Sequence, residues 1–241
     1  MTEALEGVVV GLPTVEKDVC PICEKPPHPD RTTTEKQEGN GCLDSIPKNL
    51  GCSQIGPEPG LPNFATAAHH LIPVNQCLKA FPRLQQVCRT VGYDVNNGNN
   101  GLPLPTCGQG TLNAYSTSQG TTVKYGKLGD DDKRNAAFVI MQGLNRQWHV
   151  GHHDWRMDYD TDGEPHPENY DKLVKVKLRD LEKDIQQEGD IICEPPDESE
   201  SGKVILTELD ALSGEIKGNV VAWCDYYVSA LSCLFAMKYR R

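Results

Sequence analysis

The stretch 65-ATAAHHLIP-73 places two adjacent histidines, His69 and His70, at the start of an apolar run that Pro73 ends. Neighbouring side chains of a β-strand point to opposite faces of the sheet. One imidazole of the pair can therefore be buried while the other faces solvent or a substrate. The stretch predicts a strand end that carries two histidines in different environments.

Three further segments carry recognisable structural patterns. The stretch 96-NNGNNGLPLPT-106 is a run of turn-forming residues that leads into a short apolar strand, predicted at residues 102–104. Residues 78–94 are predicted to be partly helical, and residues 130–148 to form a helix that begins with three aspartates. Apolar side chains recur at helical spacing from Tyr170 to Ile185, and Gly189 is predicted to end that helix.

The motif 149-HVGHH-153 holds three more histidines. His149 and His153 are four residues apart, so on a helix they would lie on one face, close enough to share a metal ion. His152, at three residues, is the alternative partner. Five of the seven histidines of the chain lie in the two clusters. This clustering favours metal-assisted catalysis over a purely structural role.

The charge of the chain permits a nucleic-acid partner without predicting one. The net charge of −10 divides into −5 on residues 1–63, +2 on residues 64–160 and −7 on residues 161–241. Phosphate contacts supply most of the non-specific affinity for nucleic acids, so a nucleic-acid function needs a local cluster of basic side chains. The candidates are Lys79, Arg83, Arg89, Lys124, Lys127, Lys133, Arg134, Arg146 and Arg156.

Ten cysteines are present, and only Cys20 and Cys23, in 20-CPIC-23, have the spacing of a zinc knuckle. No N-terminal segment combines a basic start, an apolar core and a cleavage site, which favours free or metal-bound thiols over disulfides. Without a second Cys-x-x-Cys motif, further zinc ligands would come from His28, Cys42 or Cys52. The alternative is a loop that holds two free thiols.

Composition divides the chain into three predicted parts. Residues 1–63 are rich in Pro, Gly, Thr and charge, which predicts an irregular arm. Residues 64–189 hold the histidine motifs. Residues 190–241 begin with an acidic linker, predicted at 190–203, and end in a mostly apolar segment. Asp225 lies within that segment and favours a buried helix or strand over a membrane span.

The histidine clusters suit the hydrolysis of phosphodiester bonds. That reaction needs a water nucleophile, a base that takes its proton, and positive charge where the phosphorane and the leaving oxygen become negative. A neutral imidazole, with an ordinary pKa of about 6.5, is a suitable base at neutral pH. Two or three imidazoles can also hold one divalent cation. Because the side chains of His69 and His70 diverge, one can serve the metal and the other the water.

The motifs AAHHLIP, NNGNNGLPLP and HVGHH, in that order, resemble the AHH family of nucleases, which belongs to the HNH/endonuclease VII group. The resemblance extends from Ala68 to about Ile185, roughly half of the chain. It implies an α+β fold whose core is the ββα-metal unit, placed within residues 64–189 and surrounded by helical additions and loop-rich flanks. In that unit a β-hairpin carries the histidine doublet and an asparagine, and a helix supplies the last metal ligand.

Carried over position by position, the resemblance makes His69 a metal ligand and His70 the general base. Asn100 takes the place of the asparagine that braces the hairpin and orients the base, although an asparagine here also suits a turn. His149 and His153 become the helical metal ligands. The family runs from the helical histidine through H-P-x-Y directly into the final helix, whereas an insertion separates them in this chain. The alternative ligands are therefore His152 and His166.

The resemblance further implies a metal-dependent endonuclease that cuts DNA or RNA with Mg²⁺, Mn²⁺, Ni²⁺ or Zn²⁺. Members of the family are commonly toxin domains of bacterial polymorphic-toxin and secretion systems such as type VI. This implies a chain made in the bacterial cytoplasm, exported without a Sec signal and injected into target cells. It also implies a cognate immunity protein as partner.

Two other classes of function stay open. In a non-catalytic, zinc-stabilised binding module, the histidines and the Cys20–Cys23 pair would form closed structural sites, whereas a catalytic site keeps an open position. His70 distinguishes the catalytic hypothesis from the structural one, because a structural metal site has no need of a second, diverging imidazole. The second is a membrane-active toxin that uses the apolar C-terminal segment, and Asp225 within that segment opposes it.

Overall fold

The computed structural model describes residues 19–25, 50, 52–56, 58–62, 64–106, 114–116, 122–124, 127–149, 169–193 and 198–240. Short strands and longer helices share these ranges, which is the α+β composition that the sequence predicted. They are β1 (Ala65–His70), α1 (Pro82–Val91), β2 (Gly101–Thr106), β3 (Ala114–Ser116), β4 (Thr122–Lys124), α2 (Asp130–Leu144), α3 (Tyr170–Ile192), α4 (Glu198–Ala222) and α5 (Ala230–Tyr239). Within the described part, no helix is long and apolar enough to cross a membrane.

β1 and β2 form an antiparallel pair in which Ala65 lies opposite Thr106 and His70 lies opposite Gly101. The strand predicted at residues 102–104 is confirmed, and it extends beyond that range at both ends. Gly101 allows the chain around Leu50 to approach closely, because a Cβ there would lie 3.0 Å from the Leu50 carbonyl oxygen. β3 and β4 form a second antiparallel pair.

The long connection between β1 and β2 contains α1, as the sequence predicted. Pro82 opens the helix, because its fixed φ suits the first turn, and Gly92 closes it with φ of 74°. The asparagine-rich segment then makes one 3-10 turn over Gly98–Asn100, directly before β2. The backbone N–H of Leu71 donates to the Asn100 carbonyl oxygen at 2.9 Å. The two ends of the connection therefore meet beside the histidine doublet.

α2 begins with three aspartates, as expected from the attraction of acidic side chains to a helix N-terminus. It ends at Leu144, so the helix predicted over 130–148 is wrong for its last residues. Asn145 adopts φ of 52°, a left-handed conformation that stops a helix. Consequently His149 follows α2 in non-helical chain, and the helical spacing that related it to His153 does not apply to it.

α3 begins at Tyr170, as its apolar spacing predicted, but it continues through Gly189 to Ile192. The prediction that Gly189 ends the helix is wrong, and packing explains why a glycine stands there. A Cβ on Gly189 would lie 2.3 Å from the Ile22 carbonyl oxygen. The glycine is therefore needed for the close approach of residues 20–23, and α3 keeps its helical geometry through it.

Most buried apolar residues of the described part belong to two clusters. The first joins the N-terminal segment around Ile22, the connection between β1 and β2, the strand β2, and the helices α3 and α4. The second lies between α2 and α5 and includes Trp148, Trp223 and Phe235. The apolar C-terminal segment is thus buried in helices, as expected. Of the predicted acidic linker, residues 190–192 and 198–203 are helical.

Candidate functional site

His69 is buried, with 1% of its surface exposed, at the end of β1. Its ring lies against the rings of His149 and Tyr170, with centroid separations of 5.2 and 5.1 Å and edge-on geometry. The strand alternation that the doublet predicted is therefore present, because His70 is less buried than its neighbour. His69 is the member of the pair that faces the protein interior.

His149 reaches His69 because the chain after α2 is fixed from both sides. The backbone N–H of His149 donates to the Pro105 carbonyl oxygen of β2 at 2.9 Å. On the other side, the N–H of Trp148 donates to Ser232 Oγ at 2.9 Å, and Ser229 Oγ donates to the Trp148 carbonyl at 2.6 Å. A β-strand and the start of α5, rather than a helix, therefore position His149.

Gln147 anchors the same segment from inside the protein. Its side chain is 1% exposed, and its Nε2 donates to the carbonyl oxygens of Val220 and Tyr226 at 2.8 and 2.9 Å. Its Oε1 accepts from the N–H of Val228 at 2.9 Å. The turn between α4 and α5 is thus tied to the residues directly before His149. No local pattern indicates this role, because the partners lie far along the chain.

His70 contacts Asn96, a residue that the sequence analysis did not single out. His70 Nε2 and Asn96 Oδ1 are 3.0 Å apart. Since an amide oxygen only accepts, Nε2 carries the hydrogen, which makes Nδ1 the nitrogen that accepts a proton in a neutral ring. The N–H of Asn96 donates to Asp94 Oδ1 at 2.9 Å, which fixes the turn that holds this amide.

Asn100 is fully buried and braces the chain directly after the histidine doublet. Its Oδ1 accepts from the N–H of Ile72 at 2.7 Å, and its Nδ2 donates to the Val95 carbonyl at 2.8 Å. A longer contact joins Oδ1 to Ser213 Oγ of α4 at 3.3 Å. These bonds connect the chain after β1 to the turn before β2, and the role predicted for Asn100 in orienting the base stays a prediction. The side chain that holds the His70 ring is Asn96.

Tyr170 connects the first turn of α3 to the end of β1. Its hydroxyl donates to the Leu71 carbonyl oxygen at 2.6 Å, and its ring packs against His69. Burial raises the pKa of Tyr170 well above its ordinary value, and the neighbouring Cys77 and Asp171 act in the same direction. Tyr170 is therefore a neutral donor that fixes the chain beside the doublet.

Two of the predicted metal ligands, His69 and His149, have rings in contact within the described residues. Two histidine ligands with metal–nitrogen bonds of about 2.1 Å at a tetrahedral angle have ring centroids roughly 5 Å apart. The His69–His149 separation of 5.2 Å agrees with that arrangement. His69 and His149 would hold the ion. The other predicted ligands, which are His152, His153 and His166, lie outside the described residues.

The basic residues predicted as phosphate contacts have diverse roles. Lys133 and Arg134 pair with aspartates in the first turn of their own helix, at 3.4 and 2.6 Å. Lys79 donates to the Asn75 side chain at 2.6 Å. Arg146 donates to the Pro103 carbonyl of β2 at 3.2 Å. Arg89 and Lys127 are exposed, whereas Arg156 and the side chain of Lys124 lie outside the described part.

A cavity of about 510 Å³ lies between β2, the chain after α2, and α4. Arg146 and Lys217 give it two positive charges, and Cys52 and Ser53 line it as well. His69, His70 and His149 are not among its lining residues. The cavity therefore adjoins the strand pair without containing the histidines.

Cys20 and Cys23 are joined by a third cysteine, Cys193, and the three form a group that could hold a metal ion. Their sulfur atoms lie within 4.8 Å of one another. Burial opposes ionisation of Cys20, but hydrogen bonds from the backbone of Cys23 and Ile22 and from the neighbouring thiols outweigh it and lower its pKa. Cys193 lies 173 residues from Cys20, so no local spacing could indicate it.

Of the further zinc ligands that the sequence suggested, the structure describes Cys52, which lies beside β2. Its sulfur packs against Gly101, the first residue of β2, where a Cβ would lie 2.6 Å from it. Burial raises the pKa of Cys52, and the charge of Lys217 opposes the shift. His28 and Cys42 lie outside the described residues.

Comparison of the chain with protein-family models, with characterised proteins and with solved structures finds no match. The geometry of the described residues therefore carries the functional argument.

Proposed function

We propose that this protein is a metal-dependent endonuclease of the ββα-metal type, with its active site at the end of β1. One observation carries the proposal. The two adjacent histidines diverge, so that His69 meets the ring of His149 at 5.2 Å while His70 is held by a polar side chain, Asn96, at 3.0 Å. Asn100 braces the chain beside both. Hydrolysis of a phosphodiester requires these two separate roles, a general base and a metal-ion site.

His70 is the general base in this proposal. With Nε2 bound to Asn96, its Nδ1 takes the proton of the attacking water as the water oxygen bonds to phosphorus. The bond from phosphorus to the leaving oxygen then breaks, and that oxygen takes a proton from solvent water. Asn96 is a positioning residue that selects the tautomer and orients the ring. His69 and His149 hold the divalent ion, which when bound supplies positive charge to the phosphate and the leaving oxygen. Tyr170 and Asn100 keep the end of β1 in place.

The substrate class in this proposal is DNA, with RNA as the second choice. Arg146 and Lys217, which line the cavity beside β2, supply positive charge that a phosphate backbone needs. A toxin delivered by a bacterial secretion system, with an immunity protein as its partner, is the biological setting that the histidine motifs suggest.

Plasmid cleavage by the purified full chain tests the proposal. We expect cleavage with one or more of Mg²⁺, Mn²⁺, Ni²⁺ and Zn²⁺ and none with EDTA. His70→Gln should slow cleavage by about 10²–10⁴-fold, the range typical of a lost general base. His149→Ala should weaken both metal binding and activity. Asn99→Ala is the matched control, because this neighbouring asparagine is exposed and contacts Asp210 rather than a histidine.

The alternative is a non-catalytic module in which a structural metal stabilises the fold. The edge-on packing of His69 against His149 and Tyr170 is also a stable arrangement of buried aromatic rings, and the cysteine group offers a structural site. Absence of cleavage of both DNA and RNA with every metal, in a folded protein that retains zinc, would favour this alternative. Cleavage that His70→Gln leaves unchanged would exclude His70 as the base.

A further inference from the structure

We propose that Cys20, Cys23 and Cys193 bind one zinc ion that fastens residues 19–25 to the C-terminal end of α3. This site is separate from the histidines and does not depend on the proposed nuclease activity. Cys20 Sγ and Cys193 Sγ are 4.0 Å apart. Zinc–sulfur bonds of about 2.3 Å at a tetrahedral angle place two sulfurs roughly 3.8 Å apart. A disulfide needs about 2.0 Å, so the observed separation fits a shared ion.

The local backbone around the first two sulfurs is a tight turn. The N–H of Glu24 donates to the Cys20 carbonyl at 2.9 Å, and the N–H of Cys20 donates to the Lys25 carbonyl at 2.8 Å. Glu24 adopts φ of 59°, a left-handed conformation that turns the chain back after Cys23. The turn keeps both thiols of the Cys-x-x-Cys motif on one side, as a zinc knuckle requires.

Arg83 of α1 holds this turn in place. Its Nε donates to the Pro21 carbonyl at 2.9 Å, and its Nη2 donates to the Ile22 carbonyl at 3.0 Å. The same guanidinium pairs with the Glu24 carboxylate. The two residues between the cysteines are therefore fixed by a side chain from the core. Arg83 was predicted as a phosphate contact, and these bonds give it a structural role instead.

The third sulfur is brought to the turn by the end of α3. Gly189 lets the Ile22 carbonyl approach the helix, and the N–H of Cys193 donates to the Gly189 carbonyl at 3.0 Å. Lys25 and Asp190 form an ion pair at 3.0 Å beside this contact. Cys20 and Cys193 are each 6% exposed. Cys20 and Cys193 are thus buried and Cys23 is half-buried, and several independent contacts position the three sulfurs.

Zinc is the metal that such a donor set selects. Soft thiolate ligands favour zinc over magnesium, calcium or manganese, and a zinc ion at three sulfurs accepts one further ligand to complete a structural tetrahedron. The site would link a sequence-distant pair of segments, since 173 positions separate Cys20 from Cys193. Its role is to hold the N-terminal segment on the helix whose first turn supports His69.

Titration of the metal-free full chain with Co²⁺ tests this site separately from any histidine site. Co²⁺ bound to thiolates gives an intense near-ultraviolet charge-transfer band, which imidazole ligands do not give. We expect one equivalent of Co²⁺ to produce the band and Zn²⁺ to displace it. Cys193→Ser should weaken Zn²⁺ binding by more than the roughly 10–100-fold that loss of an outer-shell partner costs. Cys233→Ser, a matched change at a buried thiol of α5, should leave the band unchanged.

A measurement on the wild-type chain covers the case in which Cys193→Ser does not fold. Zinc should protect Cys20, Cys23 and Cys193 from alkylation together, and a chelator should make all three react, whereas the exposed Cys224 reacts in both states. The proposal is overturned if saturating Co²⁺ gives no charge-transfer band. It is equally overturned if the chelator leaves the reactivity of these three thiols unchanged.

Discussion

Substitution of Asn100 by alanine should destabilise the fold strongly, because its side chain satisfies backbone groups that have no access to water. Asn100 is fully buried. Its two short hydrogen bonds, of 2.7 Å to Ile72 and 2.8 Å to Val95, join the chain directly after β1 to the segment before β2. Alanine removes both partners and leaves one buried N–H and one buried C=O unsatisfied.

The expected loss follows from those two groups. Each buried polar group left without a partner costs about 1–3 kcal/mol, so Asn100→Ala should lower the free energy of unfolding by roughly 4 kcal/mol. The longer contact to Ser213 adds little to this figure. Since domains are typically stable by about 5–15 kcal/mol, the loss is a large fraction of the total.

Urea unfolding followed by tryptophan fluorescence measures this loss. With a slope of about 3 kcal/mol per molar urea, the midpoint should fall by roughly 1.3 M. Asn99→Ala serves as the control, because Asn99 is exposed and its side chain donates to one residue, the half-buried Asp210, at 2.8 Å. The control should change the free energy of unfolding by less than about 1 kcal/mol.

A loss below about 1 kcal/mol for Asn100→Ala would refute the reasoning, because it would mean that the buried groups find other partners. Normal stability with lost cleavage would instead make Asn100 a participant in the reaction. Loss of both would agree with a brace that holds the end of β1.

Three further predictions concern the supports of the site. Gly189→Ala should destabilise the protein and weaken zinc retention, because the new Cβ would lie 2.3 Å from a backbone oxygen. Gly214→Ala is the control, because a Cβ there has nothing within 4 Å, and it should stabilise α4 by about 0.5–1 kcal/mol. Thermal unfolding of both variants measures the difference. Gln147→Ala should cost roughly 6 kcal/mol in urea unfolding, at the same cost per buried group as for Asn100, because three buried hydrogen bonds are lost. It should also weaken metal binding at His149, and unchanged binding would contradict its positioning role. Burial raises the pKa of Tyr170 in the folded state, so its contribution to stability is complete below about pH 10 and is lost above it, by up to about 1.4 kcal/mol per pH unit. Tyr170→Phe should therefore reduce the loss of stability between about pH 9 and pH 11, measured as the urea midpoint at each pH. If the midpoint falls with pH as steeply in the variant as in the wild type, the raised pKa of Tyr170 does not contribute to the alkaline loss.

The Cys20–Cys23 pair and its third partner mark the limit of what spacing predicts. Two cysteines separated by two residues have the spacing of a zinc knuckle, because two intervening residues let both thiols bind one ion. Cys193 carries no such signal. It joins the pair only because α3 continues through Gly189, and a glycine in a helical pattern ordinarily indicates the end of the helix. The missing Cβ serves a contact between distant segments, which a local pattern does not encode.

Features that depend on neighbouring residues could be predicted from the amino-acid sequence. Strand alternation separated the environments of His69 and His70, the aspartates marked the start of α2, and apolar spacing marked the start of α3, because each rests on local backbone geometry. The side chains that meet at the site depend on tertiary packing and could not be predicted. Asn96 holds His70, and His149 reaches His69 from non-helical chain fixed by β2 and α5, because these contacts depend on how separate elements pack in the core.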